Sequence, residues 1–179
     1  MILYPDYKFK KLVDITVEDL KSMGVKGIAV DLDNTMAIDN TDDPGEGVVE
    51  WLAEMKKAGF KISILSNSYR KRARNFAKSV GGIDWVAMAL KPSHYGYYRV
   101  KKKFKLKAYE IAMIGDQIFT DIIGANLAGM VSVYVFPYEV EKRSVVSYKI
   151  KRHLEKILFV LQDAGTPSDD KKNQKDGWR

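Results

Sequence analysis

Short apolar runs that alternate with helical segments constrain this chain more than any other feature. Five of them, "GIAVDL" (27–32), "KISILSN" (61–67), "DWVAMALKP" (84–92), "YEIAMIGD" (109–116) and "MVSVYVFP" (130–137), have the length and β-branched content of buried strands. Between them lie segments of helical character. In "GEGVVEWLAEMKKAGF", Val48, Val49, Leu52 and Met55 share a helix face and Gly59 is placed to stop it; a basic helix spans about 69–78, and an uncharged-to-acidic helix follows the fourth run over about 119–127. Parallel strands need crossover connections, and each crossover lays a helix on one face of the sheet. The pattern predicts an α/β, Rossmann-like three-layer sandwich with a mainly parallel sheet of about five strands.

The 179 residues suit one domain, expected over 1–163. Ahead of the first strand, "DITVEDLKSMGV" reads as a short helix capped by Thr16. A final helix is expected over 144–162, with Val146, Ile150, Leu154, Ile157, Leu158 and Leu161 as its apolar stripe, and 164–179 as a disordered polar tail. The absence of cysteine excludes disulfides, thiolate metal sites and cysteine nucleophiles. No leader-like or bilayer-spanning run is visible, so the expected location is cytoplasmic. The formal charge of +7 is clustered: Arg70, Lys71, Arg72, Arg74 and Lys78 form one group, and Arg99, Lys101, Lys102, Lys103, Lys105 and Lys107 another. Such clusters attract phosphorylated metabolites, nucleic acid or acidic lipid, although charge runs also merely solubilise helices.

In open parallel sheets, ligands bind beyond the C-terminal strand ends. The residues found there are Asp31, Asp33 and Thr35 after the first run, Ser66 and Asn67 after the second, Lys91 after the third, and Asp116 and Asp121 in "GDQIFTD" after the fourth. Carboxylates gathered on one edge repel unless a hard cation sits among them, and Mg²⁺ is commonly held by one or two carboxylates together with a phosphate oxygen. A lysine and a hydroxyl beside them suit the remaining oxygens of a phosphoryl group. The set points to phosphoryl transfer.

These residues resemble the four motifs of the haloacid dehalogenase (HAD) superfamily in their usual order: Asp31-Leu-Asp33-Asn-Thr35, Ser66, Lys91-Pro92 and Gly115-Asp116-Gln-Ile-Phe-Thr-Asp121. The similarity extends over roughly 5–160 and is nearest to subfamily IIIA proteins of the YqeG type, relatives of the phosphatidylglycerophosphate phosphatases of mitochondria and plastids. The resemblance implies a HAD-like fold with Asp31 as nucleophile, Asp33 as general acid and then base, and Ser66 and Lys91 on the phosphoryl oxygens, with Asn34, Thr35 and Asn67 beside them. It also implies Mg²⁺ held by Asp31, the Asp33 backbone carbonyl, Asp116 and Asp121. Relatives that enclose small metabolites insert a cap domain after the first or second motif. Neither gap here can hold one, so the expected partner is a large phosphate ester, with phosphatidylglycerophosphate leading and peripheral membrane association implied. The chain departs from the family pattern at Asn126-Leu127, where an Asn-Arg pair is common, and at Ser66-Asn67-Ser68, where Ser-Asn-Asn is common. Neither change is expected to touch the catalytic set.

Other residues and readings compete. His94 is expected at the surface, Tyr95, Tyr97 and Tyr98 half-buried with wet hydroxyls, Trp51 and Trp85 in the core, and Gly115 in a tight turn. A receiver-like signalling module would place its phosphorylated aspartate after the third strand, where this chain has Ala89-Leu90-Lys91. An RNA- or ribosome-associated binding protein on the same fold is the main alternative, resting on charge.

Overall fold

A computed structural model describes residues 2–37 and 43–137; the expected final helix and polar tail lie outside the described residues. Six parallel strands form one sheet: β1 (Tyr7–Phe9), β2 (Gly27–Val30), β3 (Lys61–Leu65), β4 (Asp84–Val86), β5 (Ile111–Gly115) and β6 (Val131–Val135). Their spatial order is β1-β6-β5-β2-β3-β4. The helices are α1 (Val17–Ser22), α2 (Val48–Lys57), α3 (Arg70–Ser79), α4 (His94–Phe104) and α5 (Ile123–Ala128). All five expected strands are present.

Strand alternation sorts the apolar residues into two layers. Ile28 and Val30 of β2, Ile62 and Ile64 of β3, and Ala112 and Ile114 of β5 join Val48, Trp51, Leu52 and Met55 of α2 and Phe76 and Ala77 of α3 in one core. Ala29, Leu65, Ile111 and Met113 point to the other face, where Tyr97, Val100 and Phe104 of α4 and Ala125 of α5 cover them. Each fully buried large side chain contributes about 2–3 kcal/mol through removal from water. The sheet is therefore covered on both sides, as the parallel connections require.

The central strands carry the positions that matter. After β2 the chain builds outward through β3 and β4, then returns to β5 on the other flank and continues to β6. The connections from β2 and β5 thus depart in opposite directions, which opens a crevice above their shared C-terminal edge. Val30 is in register with both Ile114 and Ile64. The Asp31 amide continues the ladder to the Ile114 carbonyl at 2.9 Å, so Asp31 emerges directly over this crevice.

Local chemistry fixes the entry to the fold. Thr16 caps α1: the Asp19 amide donates to Thr16 Oγ1 at 3.1 Å and the Thr16 amide donates to Asp19 Oδ2 at 3.0 Å. Such a reciprocal cap is worth about 1 kcal/mol. The Trp51 indole donates to the Ile15 carbonyl at 2.7 Å, tying α2 to the start of α1.

Several expectations need correction. The sheet has six strands, because the three-residue "YKF" of β1 pairs with β6. Its anchor is Asp6, whose Oδ2 accepts from the Ser132 amide at 2.8 Å and the Ser132 hydroxyl at 3.0 Å. Trp85 is only partly buried, packed against the core margin from the edge strand β4. No cap domain stands between Thr35 and α2, where only 38–42 lie outside the described residues, or between Ser66 and Lys91, where α3 and β4 fill the chain.

Candidate active site

Four strand ends deliver the expected residues to one edge. Asp31 follows β2, and Asp116 follows β5. Asp121 is returned to the same place by a π-helical turn, Ile118–Ile122. The turn is wide: the Gln117 carbonyl accepts from the Asp121 amide at 2.8 Å and from the Ile122 amide at 3.3 Å. It lays the Asp121 side chain against the backbone of Gly115, where an added Cβ would lie 2.6 Å from the Asp121 Cβ and 2.5 Å from its Cγ. Gly115 is thus required for close approach and not, as expected, for a tight turn.

Asp31, Asp116 and Asp121 are buried and present carboxylate oxygens within 4.8 Å of one another. Lys91 reaches into them with a side chain only 3% exposed, its Nζ 2.6 Å from Asp31 Oδ1 and 2.7 Å from Asp121 Oδ1. When all are ionised, the three carboxylates and one ammonium carry two net negative charges. That balance, on hard oxygen donors, fits one divalent cation. Burial pushes the Asp31 carboxyl up to about 7, with Lys91 opposing the rise and the Asp121 and Asp33 charges adding to it. Burial alone would pull the Lys91 ammonium down, but Asp121 and Asp31 outweigh it and hold its pKa above the ordinary lysine value.

Lys91 owes its position to Asn67. The Lys91 amide donates to Asn67 Oδ1 at 2.8 Å, and Asn67 Nδ2 donates to the Lys91 carbonyl at 3.2 Å. The preceding loop runs through Met88 and Leu90 in left-handed backbone conformations. The Asn67 side chain therefore clamps one strand-end loop to another, although the sequence places it beside the phosphate.

Asp33 is turned away from the carboxylate cluster. Its Oδ2 accepts from the Ser68 hydroxyl at 2.9 Å, and its Oδ1 lies 2.7 Å from an Arg72 guanidinium nitrogen. Ser66 donates through its hydroxyl to Ser68 Oγ at 3.0 Å, and Ser66 Oγ accepts from the Ser68 amide at 3.0 Å. Asn34, in the left-handed region, and Thr35 are both buried. The Asn34 side-chain amide and the Thr35 hydroxyl have no hydrogen-bond partner among the described residues, an arrangement uncommon enough in buried polar groups to mark a polar site.

Sequence reading overlooked three participants. Ser68, treated as a neutral departure, touches Asp33 directly. Arg72 is drawn from a cluster otherwise exposed on α3. Tyr97, expected with a wet hydroxyl, is fully buried and donates to the Thr120 carbonyl at 2.7 Å and the Asp121 carbonyl at 3.3 Å, bracing the π-turn. Burial raises the Tyr97 pKa, with the Asp121 and Asp31 charges adding to it. Gly124 permits that contact, since a Cβ there would overlap the Tyr97 ring. Tyr95 and Tyr98, expected half-buried, are exposed, and His94 is exposed as expected. Asn126 ties down the N-terminal segment by donating to the carbonyls of Ile2 at 2.8 Å and Tyr4 at 2.9 Å.

Comparison with known proteins agrees with this geometry. The family model for haloacid dehalogenase-like hydrolases matches residues 9–129. The probable phosphatase YqeG of Bacillus subtilis (strain 168) is 33% identical over 163 residues, 84% of this chain and 94% of that protein. An uncharacterised protein from Listeria monocytogenes serotype 4b shares the fold with a TM-score of 0.55 at 19% identity, over 78% of this chain and 99% of that one. The cobalt-bound deoxy-D-mannose-octulosonate 8-phosphate phosphatase of Haemophilus influenzae shares it with a TM-score of 0.50 at 14% identity, over 80% of this chain and 92% of that one. The chain belongs to the haloacid dehalogenase-like hydrolases, in their YqeG-type phosphatase group.

Proposed function

We propose that the chain is a Mg²⁺-dependent phosphomonoester hydrolase working through an aspartyl-phosphate on Asp31. The observation that carries this reading is the Asp31 carboxylate at the end of the central strand, within a buried cluster of Asp116, Asp121 and Lys91. Asp31, Asp116 and Asp121, with the Asp33 carbonyl, would hold the cation, which when bound offsets phosphoryl charge and keeps Asp31 ionised. In the first step an Asp31 oxygen forms a bond to phosphorus as the bond to the ester oxygen breaks. Asp33 gives that oxygen its proton. In the second step water attacks phosphorus, Asp33 takes a proton back, and Asp31 leaves as a free carboxylate. Lys91, Ser66, Asn34 and Thr35 offer donors to the phosphoryl oxygens.

For substrate, the reading favours a phosphate ester presented at a surface, with phosphatidylglycerophosphate first by resemblance to the YqeG type. Two features support it. Among the described residues no cap domain covers the site. Around its mouth, Tyr69 is 79%, Met88 47% and Leu90 64% exposed, beside the exposed basic residues Arg70, Lys71 and Arg74. Apolar side chains flanked by cations suit the boundary of an anionic bilayer. No described helix is long and apolar enough to cross a membrane, so docking would be peripheral.

The test is a panel of phospholipid, nucleotide, sugar-phosphate and phosphopeptide substrates assayed with and without Mg²⁺, using Asp31→Asn as the blank. Preference for the lipid supports the full reading. Activity on none of them overturns the hydrolase reading, and salt-sensitive RNA binding that survives Asp31→Asn would favour a binding role.

A further inference from the structure

We propose that Arg72 and Ser68 are positioning residues that fix the Asp33 carboxyl for proton delivery to the leaving oxygen. The inference rests on the reading of Asp33 as general acid and adds the residues that make it one. The two Asp33 oxygens are held differently: Oδ2 accepts a hydrogen bond from the Ser68 hydroxyl at 2.9 Å, and Oδ1 lies 2.7 Å from an Arg72 guanidinium nitrogen in an ion pair without hydrogen-bond alignment. The hydrogen bond and the ion pair act on opposite oxygens, so together they restrict rotation of the carboxyl more than either would alone. The partners come from a different strand end than Asp33, so they also lock the β2 loop to the segment following β3.

The chemistry of the two partners divides the work. Arg72 supplies a fixed positive charge beside Oδ1. At Oδ2 the Ser68 hydroxyl is both donor and acceptor, so it can keep its contact with the carboxyl as a proton is passed on. The Ser66 hydroxyl bonded to Ser68 at 3.0 Å links that hydroxyl to the serine expected on the phosphoryl group. Arg72 is suited to the task by placement. Its side chain is 21% exposed and turned inward in the first turn of α3, whereas Arg70, Lys71 and Arg74 face solvent.

The experiment compares kcat/KM for an unactivated alkyl phosphate and an activated nitrophenyl phosphate. This quantity reports events up to departure of the leaving group, and only the alkyl ester needs its leaving oxygen protonated. Arg72→Gln should lower kcat/KM on the alkyl ester by roughly 10- to 100-fold, the loss typical of a displaced catalytic group, and on the aryl ester by no more than about threefold. Ser68→Ala should shift the ratio in the same direction by a smaller factor, and Arg72→Lys should recover part of the loss. Introduced into Asp33→Asn, Arg72→Gln should cost nothing further. Equal losses on both esters, a change in KM alone, or losses that add to those of Asp33→Asn would overturn the proposal. If Asp33→Asn itself fails to discriminate the two esters, the acid assignment falls, which is a different result. Unfolding midpoints identify any variant that fails to fold; Ser68→Ala and Arg72→Lys then decide between the outcomes.

Discussion

Replacing Lys91 with Met tests the electrostatics of the site. The substitution conserves much of the side-chain volume but removes the ammonium that stands 2.6 Å from Asp31 and 2.7 Å from Asp121. Stripping one partner from a buried ion pair costs about 3–5 kcal/mol, because the remaining charges lose their compensation without regaining water. Part of that loss can be relieved by protonating Asp31, whose carboxyl already lies near 7 through burial, even with Lys91 opposing the rise. A carboxyl raised in the folded state favours the protonated fold. Its contribution is complete below the ordinary value of 3.8 and is lost as pH climbs through about 7. Without divalent cations, the parent should therefore lose stability between about pH 4 and 7 and level off above. Lys91→Met removes the group that lowers the Asp31 pKa, so its decline should continue past pH 7 at up to about 1.4 kcal/mol per pH unit. Urea unfolding in a chelator at pH 6 and pH 8 measures both. At pH 8 the variant should be less stable by about 3 kcal/mol or more, and saturating Mg²⁺ should restore part of the loss because it binds the folded state alone. Equal stability of the two proteins at pH 8 in chelator would refute the view that Lys91 compensates buried, ionised carboxylates.

Further consequences can be checked separately. Because the Asp31 proton must leave before a cation is bound, apparent Mg²⁺ affinity should fall up to tenfold per pH unit below about 7 and flatten above; calorimetry in buffers of different ionisation enthalpy reads the proton released. Gly115→Ala should push Asp121 off the backbone and weaken Mg²⁺ binding by about tenfold or more, measured by thermal shift with and without the ion; unchanged affinity would mean that Asp121 is not needed for the cation. Tyr97→Phe should cost about 1–2 kcal/mol in urea unfolding, since it removes the buried donor to the Thr120 carbonyl.

The layered sheet and the gathering of Asp31, Ser66, Lys91, Asp116 and Asp121 on one edge were legible because each follows an apolar run, and parallel strands put all such ends on the same side. What escaped was set by tertiary contact. The strand β1 has only three residues, too few for its alternation to register; its place comes from Asp6 and Ser132, which are far apart in sequence. Arg72 looks like its neighbours in a basic run until the helix phase turns it toward Asp33. Tyr97 sits between two exposed tyrosines in sequence, and only the glycine opposite, Gly124, makes room for its ring. Burial of Asp31 was likewise invisible, and that burial is what ties its charge to the stability of the fold.

The most direct measurement is peptide mapping of acid-quenched enzyme after reaction with an activated aryl phosphate and Mg²⁺, using Asp33→Asn to slow breakdown of the intermediate. The account predicts an acid-stable, hydroxylamine-labile phosphoryl group on the peptide carrying Asp31, absent from Asp31→Asn. Turnover with no such adduct, or with the phosphoryl group on any other residue, would contradict it.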